Sequence, residues 1–151
     1  MARVGATQQQ PTLIINNNNI NIKKSSIMKA IYDNIPAVFE KVGNGSYLYR
    51  WNIKEQTVEN GNDNEKRTQY ACEEVTLWPP LSANSVMESV ITETYPSNYE
   101  QKLINDYNAV SLGVMEDEDG GIVARYKEFL DVRATLKSQV DKDYHDFGGK
   151  L

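Results

Sequence analysis

The chain contains a single cysteine, Cys72, and a single histidine, His145, which are the residue types from which a Cys–His nucleophile would be built. Such a nucleophile needs its base within hydrogen-bonding distance and a third group that orients the base. Cys72 lies in a predicted strand and His145 near the end of a predicted helix, and nothing in the sequence brings them together. We therefore expect Cys72 to be a small buried side chain, His145 to be solvated, and the protein not to be an enzyme.

No metal and no cofactor is expected. Zinc would require about four Cys or His ligands. The acidic run at residues 116–119 has the composition of a calcium loop, but placing Gly120 at the loop's glycine puts Met115 and Tyr126 where an Asp and a Glu are needed. A solvated linker is the favoured interpretation, with a loose surface cation site as the alternative. The sequence contains no GxGxxG, GxxxxGK[ST] or GxSxG pattern.

An aromatic row is the clearest period-two pattern in the chain. Tyr47, Tyr49 and Trp51 alternate with more polar positions, so the three rings lie on one face of a predicted strand. That face has two interpretations. It is an exposed platform for bases or sugars, which would make the protein a small ligand- or glycan-binding module. The favoured alternative is a core face that packs under helices.

The composition excludes several classes of partner. The chain has 151 residues, a formal net charge of -5 and 40% hydrophobic residues, which suits one globular domain. An acidic chain is a poor match for a phosphate backbone, so no nucleic acid is expected. No apolar run reaches the roughly 18 to 20 residues of a membrane helix or the form of a secretory signal, so no membrane is expected. A lone cysteine favours a reducing compartment.

The elements that would position these residues form a sheet followed by helices. Strands are predicted at residues 37–42, from Tyr47 onward and at residues 68–78, with a turn at Gly43-Asn44-Gly45, which gives an antiparallel meander over about 37–78. Helices are predicted at about 82–94, 97–112 and 120–145. Ser82 is the expected cap of the first, Ser97-Asn98-Tyr99-Glu100 a capping box for the second, and Gly113 its C-terminal glycine. The predicted class is α+β: a small antiparallel meander followed by two or three helices.

The first 27 residues differ from the rest, which divides the chain into an arm (1–27), a domain (28–147) and a tail (148–151). Within residues 12–24, TLIINNNNINIKK, polar and apolar residues alternate at the C-terminal end. Such a segment buries too little to order itself, but it gains ladder hydrogen bonds when it adds to a sheet edge. We expect an extended arm that is flexible or ordered by a partner, an untethered leader being the alternative. The predicted partner-binding residues are Leu13, Ile14, Ile15, Ile20 and Ile22.

Four stretches resemble small uncharacterised proteins encoded by phages and prophages of gut bacteria. They are YLYRWNIKE, CEEVTLWPPLSANSVMESVI, YEQKLINDYNAVSLGV and YKEFLDVRATLKSQVD, and the resemblance covers about residues 28–143. It implies a virion or tail-region protein whose partners are other virion structural proteins, located in the virion and, during assembly, in the host cytoplasm. A tail-fibre assembly factor is the alternative, and a homo-oligomer stays open. The resemblance carries no catalytic residue, and residues 1–27 precede the part that it covers.

Overall fold

The fold is an antiparallel sheet followed by three helices, the predicted α+β class. A computed structural model describes residues 3–6, 15–16, 19–20, 28–59, 65–148 and 151, with side chains described from residue 29 onward. The strands are β1 (Arg3–Ala6), β2 (Ile15–Asn16), β3 (Asn19–Ile20), β4 (Met28–Tyr32), β5 (Phe39–Lys41), β6 (Tyr47–Glu59) and β7 (Lys66–Leu77). The helices are α1 (Ala83–Thr94), α2 (Ser97–Ser111) and α3 (Gly121–Phe147). The main sheet has the order β1-β4-β7-β6-β5, and β2 pairs with β3 separately.

The predicted meander corresponds to β5, β6 and β7. Its first turn is held by Asn44, whose side-chain oxygen accepts from the Ser46 backbone N–H at 3.0 Å, and by Gly45, whose φ of 89° is left-handed. The sequence did not predict β4, which pairs with β7 from Met28↔Glu74 to Tyr32↔Tyr70. This strand is only five residues long, which is too short for a clear alternation of polar and apolar residues. Its position gives β7 a neighbour on each side.

Successive strand residues point to opposite sides of the sheet, so its two faces carry different sets of buried side chains. The helix-facing side holds the main core, in which α1 and α3 cover the ends of β6 and β7. Its buried residues are Tyr49, Trp51, Val75, Leu77, Val86, Met87, Val90, Ile91, Leu136 and Val140. The opposite side holds a smaller cluster of Ala30, Tyr32 and Cys72, against which Ile53 packs. Two of the three rings of the aromatic row, Tyr49 and Trp51, therefore lie in the core, as the favoured interpretation predicted.

Helix α1 begins as predicted, whereas α2 does not. The Ser82 side chain accepts from the Ser85 N–H, and the Ser85 hydroxyl accepts from the Ser82 N–H. The capping box predicted at Ser97 is wrong, because the chain turns helical one residue earlier: Pro96 is the cap and no side chain caps this end. Pro96 has a ψ of 140°, so it lies outside the helix, and it has no backbone N–H that would need a partner.

Helices α2 and α3 form an antiparallel pair, and the loop at residues 112–120 that joins them is held by backbone hydrogen bonds. Leu103 of α2 packs with Tyr95 and Phe129, and the rings of Tyr107 and Tyr126 stack with centroids 4.3 Å apart. Gly113 ends α2 in the predicted left-handed conformation, with φ of 70°. In the described part of the chain, no helix is both long enough and apolar enough to cross a membrane.

The arm is partly paired within its own chain. β1 lies antiparallel to β4 at the edge of the main sheet, and Ile15 is opposite Ile20 in the β2–β3 ladder. The unpredicted β4 thus supplies an edge for residues 3–6 on the same molecule, and the expectation that the arm is flexible or ordered by a partner stays a prediction. Leu13, Ile14 and Ile22 lie outside the described residues. The predicted role in binding a partner stays a prediction for these three residues and for Ile15 and Ile20.

Candidate functional site

A buried polar cluster lies on the sheet face opposite the helices, and we call it the Arg50 cluster: Tyr32, Glu40, Arg50 and Glu74. Neighbouring strands supply them, since β6 and β7 place Arg50 directly opposite Glu74. The Arg50 Nε donates to Glu74 Oε2 at 2.8 Å and its Nη2 donates to the Tyr32 hydroxyl at 2.9 Å. The Tyr32 hydroxyl in turn donates to Glu74. Arg50 is 1% exposed and Glu74 3%, so this ion pair is fully desolvated.

Two further contacts of Arg50 reach β5 and the connection between β4 and β5. Arg50 Nη2 lies 2.7 Å from the half-exposed Glu40 carboxylate, and Arg50 Nη1 donates to the Ala37 carbonyl at 3.0 Å. The guanidinium carbon also lies 4.7 Å from the centre of the Tyr32 ring, within cation–π range. All parts of the guanidinium are thus engaged by the fold. An arginine used in this way joins four strands and presents no face to a substrate.

The environment of the Arg50 cluster fixes its charges. Burial alone would lower the pKa of Arg50, but hydrogen bonds to Glu74, Glu40 and Tyr32 outweigh it and raise that pKa further above its usual range. Burial, followed by the hydrogen bond to Glu74, raises the pKa of Tyr32 to about 12. The cluster therefore keeps a charged guanidinium and a neutral phenol, and neither titrates near neutral pH.

Alkaline pH should destabilise the protein through Tyr32. Its pKa is near 10 when unfolded and about 12 when folded, so its contribution is complete below about pH 10 and is lost as the pH rises towards 12. Urea unfolding measured at pH 8, 10 and 11.5 should show the free energy of unfolding falling above pH 10. Tyr32→Phe should be less stable at pH 8 yet show a shallower fall, and equal slopes for both proteins would contradict this assignment.

The helix-facing side carries a second buried carboxylate. Asp143 of α3 is 5% exposed and accepts from the Tyr49 hydroxyl at 2.7 Å and from Gln139 Nε2 at 2.9 Å. Burial, followed by the hydrogen bond to Asp143, raises the pKa of Tyr49 well above its usual range. The contact fastens the end of α3 to β6, and the Tyr49 phenol stays neutral.

The aromatic row does not form the ligand platform considered above. Tyr49 and Trp51 are 0% and 2% exposed and stack on each other with centroids 5.3 Å apart under the helices. Burial beneath α1 and α3 leaves neither ring face for a base or a sugar. The Trp51 Nε1–H finds no hydrogen-bond partner among the described residues. The glycan-binding alternative therefore loses two of its three residues.

Tyr47, the third residue of the row, is half-buried and faces a shallow groove of about 330 Å³. The groove lies between the sheet edge at β5 and the end of α3. We call it the aromatic groove, and its lining residues are Phe39, Lys41, Tyr47, Phe147 and Leu151. It is open and contains one charged side chain, Lys41.

Cys72 and His145 lie on separate parts of the fold. Cys72 shares its face with Glu74 and Ala30, on the side of the sheet away from the helices, and burial raises the pKa of its thiol to about 11. His145 is 88% exposed on the last turn of α3, 3.2 Å from Asp146. The thiol is protonated at neutral pH and points away from the helix that carries the histidine, so the two residues do not form a nucleophilic pair.

Two carboxylates of the acidic run have a structural role at the start of α3. The Asp117 side chain accepts from the backbone N–H groups of Ile122 and Val123 at 2.9 and 3.0 Å, and Asp119 accepts from that of Gly121 at 2.9 Å. These backbone donors lower the pKa of Asp117. Within the described residues, no group of three or more His, Cys, Asp or Glu side chains is arranged to hold a metal ion.

Comparison with known proteins gives no relative: no family model, no curated protein and no solved structure matches this chain. The site must therefore be interpreted from its own contacts.

Sequence reasoning missed the Arg50 cluster, although a signal for it was present. Arg50 alternates with the aromatic row and was assigned to the outer, polar side of the strand. An arginine there is buried only if another part of the chain covers that side, and the β4–β5 connection does so. Aligning Arg50 with Glu74 across the predicted β6–β7 pair would have suggested the ion pair.

Proposed function

We propose that this protein is a non-enzymatic structural component of a phage particle, held to neighbouring subunits by its N-terminal arm. The observation that carries the proposal is the β1–β4 pairing, in which a strand of the arm adds to the edge of a sheet. Strand addition uses main-chain hydrogen bonds, so an equivalent edge on a neighbouring subunit can accept the same strand. The resemblance to phage-encoded proteins supports the particle context.

The form of this pairing suits exchange between subunits. β1 has only four residues, and its register shifts between Arg3 and Ala6, so few ladder bonds hold it. Residues 7–27 join it to β4, a length that would span up to about 70 Å if extended. A strand that few hydrogen bonds hold and that a long connection joins to the domain can leave the sheet edge of its own molecule. It can then pair with the same edge of a neighbouring subunit at little net cost in free energy.

The buried titratable groups support a structural role. In the described part of the chain, Arg50 and Asp143 are each bound by side chains of other strands or helices, and the Cys72 thiol is protonated at neutral pH. A catalytic site would instead gather such groups around an open cavity. The contacts described here hold the sheet and helices together.

Mass spectrometry of purified particles tests the proposal. If the protein is a structural component, its peptides should be found in gradient-purified particles at a fixed ratio to the major capsid or tail proteins, and a high-salt wash should not remove them. The alternative assembly factor would be present in the infected-cell lysate and absent from the particles. Absence from particles that are complete and infectious would overturn the structural proposal.

A further inference from the structure

The loop between α2 and α3 presents apolar side chains that the fold does not use. Leu112 and Val114 are 78% and 81% exposed, and Met115 and Val123 are each 42% exposed. We call these four residues the apolar tip. Exposed single apolar residues are common, but four of them within one loop and the first turn after it form a patch of the kind that marks an interaction site.

The loop is held by hydrogen bonds that do not involve the tip side chains. The backbone N–H groups of Val114 and Met115 both donate to the Ala109 carbonyl, at 2.9 and 3.2 Å, and Asp117 caps α3 on the other side. The exposed side chains of Leu112 and Val114 therefore contribute little to folding. A rigid apolar projection loses little conformational entropy on binding, which favours association.

The aromatic groove at the other end of α3 carries a side chain of opposite charge to the carboxylates beside the tip. Glu116 and Glu118, which follow the tip residue Met115 in the sequence, are exposed carboxylates, whereas Lys41 is an exposed ammonium group that lines the groove. Lys142 and Asp146 near the end of α3 pair with each other at 2.9 Å, so Lys41 is the charged side chain among the residues that line the groove. Opposite charges on the two surfaces favour contact between the apolar tip and the aromatic groove.

We propose that the protein associates with itself head to tail, the apolar tip of one copy occupying the aromatic groove of the next. The two surfaces lie at opposite ends of α3, whose 27 residues span about 40 Å, so one copy cannot bring its own tip and groove together. A contact between two different surfaces repeats from copy to copy and builds a ring or a filament. This inference goes beyond the proposed function, because it uses no residue of the arm.

Sedimentation velocity on full-length protein tests the self-association. The sedimentation coefficient should rise with protein concentration. The tip variant, Leu112→Ser with Val114→Ser, should weaken association at least about tenfold, since two apolar side chains no longer become buried. The groove variant, Lys41→Glu, should weaken it similarly by placing a carboxylate opposite Glu116 and Glu118. Circular dichroism should show that both variants are folded.

Mixing the two variants is the decisive step. The tip variant keeps a working groove and the groove variant keeps a working tip, so an equimolar mixture should form a one-to-one dimer and nothing larger. A wild type that stays monomeric, or a mixture that stays monomeric, would overturn the inference. So would a tip variant that associates as the wild type does; that result would assign self-association to another surface and would leave the proposed role of the arm intact.

Discussion

Arg50→Met should lower the free energy of unfolding by about 3–5 kcal/mol, the cost of removing one partner from a buried ion pair. The Glu74 carboxylate, 3% exposed, would lose the guanidinium that lies 2.8 Å away, and the Ala37 carbonyl would lose its side-chain donor. Methionine fills much of the same volume, so the loss reflects charge and hydrogen bonding more than a cavity. Urea unfolding at pH 7, followed by tryptophan fluorescence, measures it.

Two further variants separate this effect from a general loss of charge. Lys137→Met removes an exposed pair in which Nζ lies 2.7 Å from Asp141, and it should cost less than about 0.5 kcal/mol. Adding Glu74→Gln to Arg50→Met should recover much of the loss, because it removes the buried charge and keeps an acceptor for the Tyr32 hydroxyl. If Arg50→Met lowers the free energy of unfolding no more than Lys137→Met does, the Arg50 cluster does not hold the sheet together.

Removing residues 1–27 should abolish incorporation into particles while leaving the body folded. The main core lies entirely between Tyr49 and Val140, so the truncated chain keeps it. The edge of β4 would lose its β1 partner, which should cost about 1–3 kcal/mol because about two ladder hydrogen bonds are worth about 0.5–1.5 kcal/mol each. The helical and sheet signals in circular dichroism should persist, and the unfolding transition should shift slightly downward.

A pair of proline substitutions tests the arm without deleting it. Successive N–H groups along a strand point in opposite directions, so Val4→Pro with Gly5→Pro removes a donor facing β4 whichever residue carries it. Gln8→Pro with Gln9→Pro is the matched control, since it adds the same two prolines outside β1. The first variant should fail to incorporate and the second should incorporate normally.

Local patterns in the sequence predicted those strands and helix ends that depend on residues close together in the chain. The alternation from Tyr47 to Trp51 located β6 and its core face, and Ser82 and Gly113 marked helix ends through backbone requirements that act over a few residues. The Ser97 capping box failed by one residue because the helix begins at Ser97 itself, which makes Pro96 the cap. Such boundaries depend on small energy differences that a pattern does not resolve.

Contacts between distant parts of the chain were not predictable in the same way. Arg50 is buried because β4 pairs with β7 and because the connection after β4 crosses over it, and neither event leaves a mark near Arg50 in the sequence. The pairing of β1 with β4 was missed for the same reason, since five residues of β4 carry too short an alternation. The aromatic groove joins β5 to the end of α3 and arises only from the tertiary fold.

The measurement that tests the role of the arm most directly is the amount of this protein in purified particles when its gene is replaced by the form lacking residues 1–27. The truncated protein should be folded and abundant in the infected cell, yet absent from the particles, and the Val4→Pro/Gly5→Pro variant should behave in the same way. Truncated protein present in particles at the wild-type ratio would contradict anchoring by the arm.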